Sequence, residues 1–216
     1  MWLWNEFVMA KKNRKPGSSW QQTKSSLTRD RIIIATLECI IEFGYVQTTM
    51  VRIAGLAGVS QGSMQYHFPA KIDAIKAAIN YLHIKRLSEH QKGLAEIPEG
   101  LNAVAHATEV YWKHLNDGHF VAYQDLVMAA RTDPELASVL RSSYRRFVKA
   151  WRSEILSQVP EWKKSREQFE LICDIGQYQL EGLAFGTLGR QIDADRARDV
   201  VESTKALLID MLDKMK

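Results

Sequence analysis

From Thr28 onward, apolar residues recur at steps of three and four, and no convincing apolar–polar alternation marks a β-strand. That periodicity predicts an all-α protein. Ile33, Leu37, Ile40 and Ile41 set the first repeat, and Gly44 stops it where a left-handed cap is wanted, which predicts a helix over 28–43. Thr48 and Thr49 offer N-cap hydroxyls for a short second helix that carries Ile53, Ala54 and Ala57 and ends at Gly58. Ser60 caps a third over 61–66, and Pro69 precedes a long amphipathic helix over 70–96. Further helices are expected over 101–116, 119–131, 134–159, 164–188 and 194–214, with Pro134 in a first turn and Pro160 just beyond an end.

Charge is spread unevenly over that scaffold. Residues 1–75 hold nine Lys or Arg against five acids and so carry the whole formal net charge of +4, while the remainder balances 20 basic against 20 acidic side chains. A basic end joined to a neutral partner is the footprint of a polyanion-binding region, although a basic unstructured tail gives the same sum. Residues 1–25 lack a sustained period and contain the breaker Pro16-Gly17-Ser18-Ser19, which predicts a flexible arm bearing the run Lys11 to Lys15. Met9, just ahead of that run, is an alternative start to Met1. Hydrophobic residues at 46% and charged residues at 25% are the proportions of a globular protein, and no apolar run approaches the roughly 18 residues of a spanning helix. The N-terminus does not read as a secretory signal, so a cytoplasmic location without a membrane partner is expected. Cys39 and Cys173 lie far apart within apolar patterns, and neither a disulfide, a metal site nor a cofactor is expected.

The run 48–68 carries the densest set of signals. Gly58-Val59-Ser60 joins two short helices: Gly58 is free to take positive φ, and Val59 is apolar enough to pin the turn on a core. That order is helix-turn-helix chemistry. The second of these helices opens Gln61-Gly62-Ser63, so its N-terminal N–H groups and small side chains can come close to phosphates and a groove. Gln61 and Gln65 offer the donor and acceptor pair that reads adenine, and Tyr66, His67 and Lys71 have the reach and polarity for phosphates. A helical hairpin inside an all-α domain would account for the apolar residues, but not for Gly62, the Tyr66-His67 pair and the basic flank together.

The residues Gly44-Tyr45, Thr48-Thr49, Ile53-Ala54, Ala57-Gly58-Val59-Ser60, Gly62-Ser63, Tyr66-His67-Phe68 and Lys71 together resemble the DNA-binding domain of the tetracycline-repressor (TetR) family of bacterial regulators, over about 28–75. The resemblance implies that Thr49 starts a helix crossing the DNA backbone. Ser60, Gln61, Gly62, Ser63 and Gln65 would lie in the major groove, and Tyr66, His67 and Lys71 would hold phosphates. Arg52 occupies a position that varies in the family and faces DNA or solvent. Gln65 stands where the family often has tyrosine and Met64 where it usually has leucine, and the basic arm exceeds the common core. The implied organisation is an arm over 1–25, a helix-turn-helix domain over 26–75 and an effector-binding and dimerising domain over 76–216. The implied function is a homodimeric repressor released from a palindromic double-stranded DNA operator by a small lipophilic or aromatic effector. Activation, or DNA binding without an effector, are the alternatives.

The remaining helices give that division some independent support. Phe169, Ile172, Cys173, Gly176, Leu180 and Leu183 form one stripe, and Val200, Thr204, Leu207, Leu208, Met211 and Leu212 another. Two such helices from each subunit would build a four-helix interface, with Phe169, Ile172, Gly176, Leu180, Leu183, Thr204, Leu208 and Met211 in contact, unless both stripes face the subunit's own core. The middle helices are rich in large rings. Trp112, Phe120, Tyr123, Tyr144, Phe147 and Trp151, with Met128 and Gln177, are the residue types that line small-molecule pockets, and they also line ordinary cores. Tyr111 belongs to the same ring-rich set, and His106, His114 and His119 are candidate polar contacts. No glycine-rich phosphate loop, nucleophile elbow or metal-ligand pair is present, so an enzyme is not expected.

Overall fold

A computed structural model describes residues 20–95, 97, 99–158 and 160–215, all helix, turn or loop, with no strand among them. The arm's basic run, residues 11–15, lies outside the described residues. The helices are α1 (Trp20–Gln47), α2 (Met50–Ala57), α3 (Gln61–His67), α4 (Lys71–Ala95), α5 (Ala103–Leu115), α6 (Gly118–Ala129), α7 (Pro134–Gln158), α8 (Arg166–Leu188) and α9 (Ala194–Asp213), with a 3₁₀ turn at Pro160–Ser165. The first helix begins at Trp20 rather than near residue 28. Beyond Gly17 no glycine or proline interrupts the chain before Gly44, so the helical backbone extends back through polar residues that show no apolar period. No helix among the described residues is long and apolar enough to cross a membrane.

The chain forms two compact units, one from residues up to Leu82 plus Val121–Ser143, the other from His83–Phe120 plus Tyr144–Lys216. The division therefore follows no single cut along the sequence: α4, α6 and α7 each contribute residues to both. In the first unit, Ile32, Ile33, Ala35 and Cys39 of α1 pack against Ile53, Ala54 and Ala57 of α2, Met64 of α3, Phe68 and Ala74. A neighbouring cluster joins Ile40, Ile75 and Ile79 to Ala122, Leu126, Leu136 and Leu140. At Gly44 the chain breaks out of α1 with φ 77° and ψ 166°, a combination that only glycine adopts readily. The N–H of Tyr45 then donates to the Asp125 carboxylate, its hydroxyl donates to Asp133 (2.6 Å), and the Lys71 ammonium donates to its carbonyl (3.0 Å).

In the second unit, Trp112, Leu115 and Phe120 pack with Leu180, Ala184, Ala197 and Val201. Leu156, Phe169, Ile172, Leu208 and Leu212 form a second cluster. Ion pairs tie α5 to α9 through Glu109 and Lys205 (2.7 Å), and α7 to α8 through Arg152 and Glu170 (2.9 Å).

Candidate functional site

The α2–turn–α3 segment is assembled by short-range signals. The Thr49 hydroxyl oxygen accepts from the Arg52 N–H (3.2 Å) and caps α2, while the neighbouring Thr48 is buried with its hydroxyl donating to Gly44 O (2.8 Å). Gly58 sits in the left-handed region (φ 59°, ψ 42°). Its N–H donates to Gly55 O (3.1 Å) and the Val59 N–H to Ala54 O (3.0 Å), the reciprocal pair that closes a helix C-terminus on a glycine. Arg31 of α1 donates to the carbonyls of Ala57 and Gly58, placing a cation where the last carbonyls of α2 converge. Ser60 caps α3 by accepting from the Ser63 N–H (3.1 Å).

With Met64 buried as the anchor of α3, the opposite face is left to solvent: Gln61, Gly62, Gln65 and Tyr66 are exposed, Tyr66 at 80%. A Cβ on Gly62 would meet only Ser60 Oγ, at 4.0 Å. Nothing in the chain therefore requires a glycine there, although glycine lowers helix stability. His67 is half-buried, edge-on to the Tyr66 ring (5.2 Å between centroids), and burial followed by the nearby Arg29 lowers its pKa.

The cations of this unit are more committed than the charge count anticipates. Arg52 donates to Gln47 O (2.7 Å) and lies over the Phe43 ring, 4.9 Å from its centroid. Lys71, besides its bond to Tyr45 O, lies 4.0 Å from the Tyr45 ring centroid, and burial lowers its pKa. Both serve the fold before they serve any ligand.

The second unit encloses a cavity of about 210 Å³. Its walls come from α4, α5, α7, α8 and α9 and are almost wholly apolar, among them Val104, Ile155, Phe169, Ile172, Leu180, Leu208 and Leu212. Arg86 and His90 of α4, Thr108, Tyr111 and His114 of α5, and Gln177 of α8 supply the polar groups. The Tyr111 hydroxyl donates to Glu181 (2.7 Å), and the Gln177 amide donates to both Glu181 (3.0 Å) and the Tyr144 hydroxyl (2.8 Å). Burial, the largest influence, raises the Tyr111 pKa and takes that of Tyr144 to about 12, so both phenols are neutral.

Of the rings expected at a pocket, Phe147 and Trp151 line this cavity, as does Gln177. Trp112 and Phe120 are instead core residues packed on α8 and α9. Tyr144 stands behind the wall as a partner of Gln177, and Tyr123 and Met128 belong to the first unit, where Met128 is 59% exposed. An apolar ring is placed by whichever element it packs on, and residue type alone does not say which. Tyr111 and His114, both singled out in the sequence, line the cavity as well, whereas His106 and His119 do not; Arg86 and His90 were not singled out, and their i, i+4 spacing on one helix is the only signal that pairs them.

The expected interface stripe also needs correcting. Phe169, Ile172, Gly176, Leu180, Thr204 and Leu208 are buried within the subunit, where a Cβ on Gly176 would come within 2.9 Å of Leu208. Leu183 and Met211 pack at the edges of the same clusters. The outward stripe of α8 is a different one: Leu171, Tyr178 and Phe185 are exposed at 58%, 60% and 45%, and Gly182 between them faces open space. On α9, Leu207 is exposed in the same way.

Residues 32–78 match the family model for bacterial regulatory proteins of the tetR family. Over 193 residues the chain is 26% identical to the HTH-type transcriptional regulator CymR of Pseudomonas putida, covering 88% of this chain and 93% of that one. A TetR-family regulator from Rhodococcus sp. superposes with a TM-score of 0.63 at 21% identity, covering 84% of this chain and 98% of that chain. The multidrug binding protein EbrR complexed with proflavin does so with a TM-score of 0.58 at 17% identity, over 85% and 99% of the two chains.

Proposed function

The chain belongs to the TetR family of bacterial transcriptional regulators, and we propose that it acts as a homodimeric repressor in the cytoplasm, released from a palindromic operator by a small lipophilic or aromatic effector. The DNA-binding domain is the compact region around α2 and α3, and the second unit is the effector-binding and dimerising part. The observation that carries the reading is the exposed face of α3: Gln61, Gly62, Gln65 and Tyr66 serve no contact that the fold needs. Placed in a major groove, Ser60, Gln61, Ser63 and Gln65 meet base edges, while Thr49, Tyr66, His67 and Lys71 meet the backbone on either side. Arg52 reaches phosphate only by leaving Gln47, so its contribution is the smaller one. The outward stripe of α8 supplies the dimer contact, which spaces the two α3 helices about 34 Å apart along the duplex. The multidrug binding protein EbrR complexed with proflavin, which shares this fold, supports a small-molecule role for the cavity.

The test uses a duplex that the protein itself selects from a random-sequence pool. Tyr66→Ala should weaken binding to it about tenfold in a fluorescence-anisotropy titration at fixed salt, the scale of one lost backbone contact. The thermal midpoint should not move, because the Tyr66 side chain is 80% exposed. Unchanged affinity would remove α3 from the interface.

A further inference from the structure

Two sets of side chains line the cavity of the second unit. Hydrogen bonds link Arg86 to Tyr111 and, through Glu181, Tyr111 to Gln177, while Phe169, Ile172, Leu208 and Leu212 belong to one apolar cluster with Ile155 packed against it. Arg86 stacks over the Phe147 ring (4.7 Å to the centroid), and its guanidinium makes one long contact to the Tyr111 hydroxyl (3.4 Å). Among the described residues no carboxylate pairs with it. Glu181 reaches it only through that hydroxyl, and Glu89 is engaged by His114 Nδ1 (3.2 Å) and Lys85 (3.7 Å). Two further groups lining the cavity are unfilled: His90 Nε2 and His114 Nε2 are both buried without a hydrogen-bond partner. A half-buried cation with no carboxylate partner beside two unfilled, buried ring nitrogens is costly unless something else completes the set.

We infer that the cavity binds a compact amphipathic monocarboxylate, its carboxylate against Arg86, His90 and His114 and its hydrocarbon body among Ile155, Ile172 and Leu212. This deepens the effector reading above and rests on it only for the consequence at DNA. A carboxylate supplies Arg86 with the charge-assisted partner it lacks, whereas an ammonium is repelled and a neutral amide leaves the guanidinium unpaired. Size limits the body. An apolar cavity of about 150 Å³ holds a benzene ring, so about 210 Å³ takes one ring, or a branched chain of similar bulk, with a few more atoms. Glu89 accepts from the Nδ1–H of His114, so in the neutral ring Nε2 carries no proton. The anion therefore binds with proton uptake at that nitrogen, opposed first by burial and then by Arg86 and Lys85, and favoured by Glu89 and Asp117, while burial keeps the neighbouring His90 uncharged. The ring's pKa is then higher in the complex than in the free protein, and affinity declines as pH rises.

Three probes sharing one skeleton separate the alternatives by titration calorimetry on the full chain: 3-phenylpropanoate, 3-phenylpropanamide and 3-phenylpropylamine. The carboxylate should bind roughly 10- to 100-fold more tightly than the amide, the range of one charge-assisted contact, and the amine more weakly than either. Arg86→Gln should abolish the preference for carboxylate while leaving amide binding intact, which also shows that the variant is folded. Between pH 6 and pH 8 the carboxylate should weaken and the amide should not. Equal or tighter binding of the amide or the amine, no binding of any of the three, or a carboxylate preference that survives Arg86→Gln overturns the assignment. The same ligands are then added to the DNA complex. Release by the amide or amine but not the carboxylate would sink the ligand class and keep the effector reading. Carboxylate binding that depends on Arg86 without any release would do the reverse.

Discussion

The face of α3 and the cavity of the second unit hold their ligand-directed groups in opposite ways. On α3 the groups are surplus to the fold: Gln61, Gln65 and Tyr66 point into solvent, and the caps, the Gly58 turn and Met64 hold the helix without them. In the cavity the groups are part of the fold and incompletely satisfied by it, as Arg86, His90 and His114 are. A surface face costs the folded chain nothing when it is altered, so binding and stability separate there. A buried, unfilled polar wall is a standing cost, so ligand, protonation and stability are coupled.

Glycines with open space beside them give the sharpest ways to break that contrast, because a side chain can be added without touching the subunit. Gly182 lies in the exposed stripe Leu171, Tyr178, Phe185, and nothing approaches within 4 Å of a Cβ built on it. If this stripe is the dimer contact, Gly182→Arg brings like charges together across a symmetric interface, at a cost of several kcal/mol, on the order of a thousandfold in the dimer dissociation constant. Sedimentation equilibrium should therefore find monomer for the variant at concentrations where the parent is dimeric, with an unshifted or slightly raised thermal midpoint. A variant that stays dimeric would place the interface elsewhere.

Gly62→Leu is the matching change on α3. Only Ser60 Oγ, at 4.0 Å, lies near the added carbon, and leucine is the better helix former by somewhat under 1 kcal/mol. The folded state should be as stable as the parent or more so. A bulky side chain at the point where backbone and groove meet should nevertheless reduce DNA affinity by on the order of 100-fold, about 2.7 kcal/mol. A variant that binds DNA normally would show that this face is free of DNA, whatever the fate of Tyr66→Ala.

The same contrast explains what was legible in the sequence. The helix-turn-helix is written locally: Thr49, Gly58 and Ser60 act within three or four residues of themselves, so their spacing alone predicts the caps and the turn that the structure contains. The later helices were equally readable as helices, to within a few residues at their ends. Their partners were not. Helix α8 carries two apolar stripes, Phe169, Ile172, Gly176, Leu180 inward and Leu171, Tyr178, Phe185 outward, and periodicity reports both without saying which faces what. The cavity shows the same limit. Phe147 and Trp151 line it while Trp112 and Phe120, of the same chemistry, fill a core, because the assignment depends on which helices meet and not on the residues themselves.

The smallest expected effect comes from acid, and it should separate the two units. Burial, the largest influence, holds His83 and His90 neutral, with pKa values of about 4 against 6.5 for a free side chain. Between those values the unfolded chain binds more protons than the folded one, so stability must rise with pH across that window. The contribution of both rings is complete above about pH 6.5 and is lost as the pH falls toward 4. Asp117 behaves in the other sense for its charge type: the hydrogen bond from His119 holds it at about 2, so its share is complete above the ordinary carboxylate value of 3.8 and is lost only below it. Acidification from pH 7 to pH 4.5 should therefore lower the thermal midpoint by on the order of 5 °C. His90→Gln removes one of the two rings held at about 4 and should flatten the profile. Hydrogen exchange would locate the change: protection should fall most in α5, α8 and α9, which line the cavity with the histidines, and less in α2 and α3, whose only histidine, His67, is half-buried and has its pKa lowered as well. Equal loss of protection in both sets of helices would mean that the two units unfold as one, and the contrast between a surplus face and an unfilled cavity would then have no counterpart in stability.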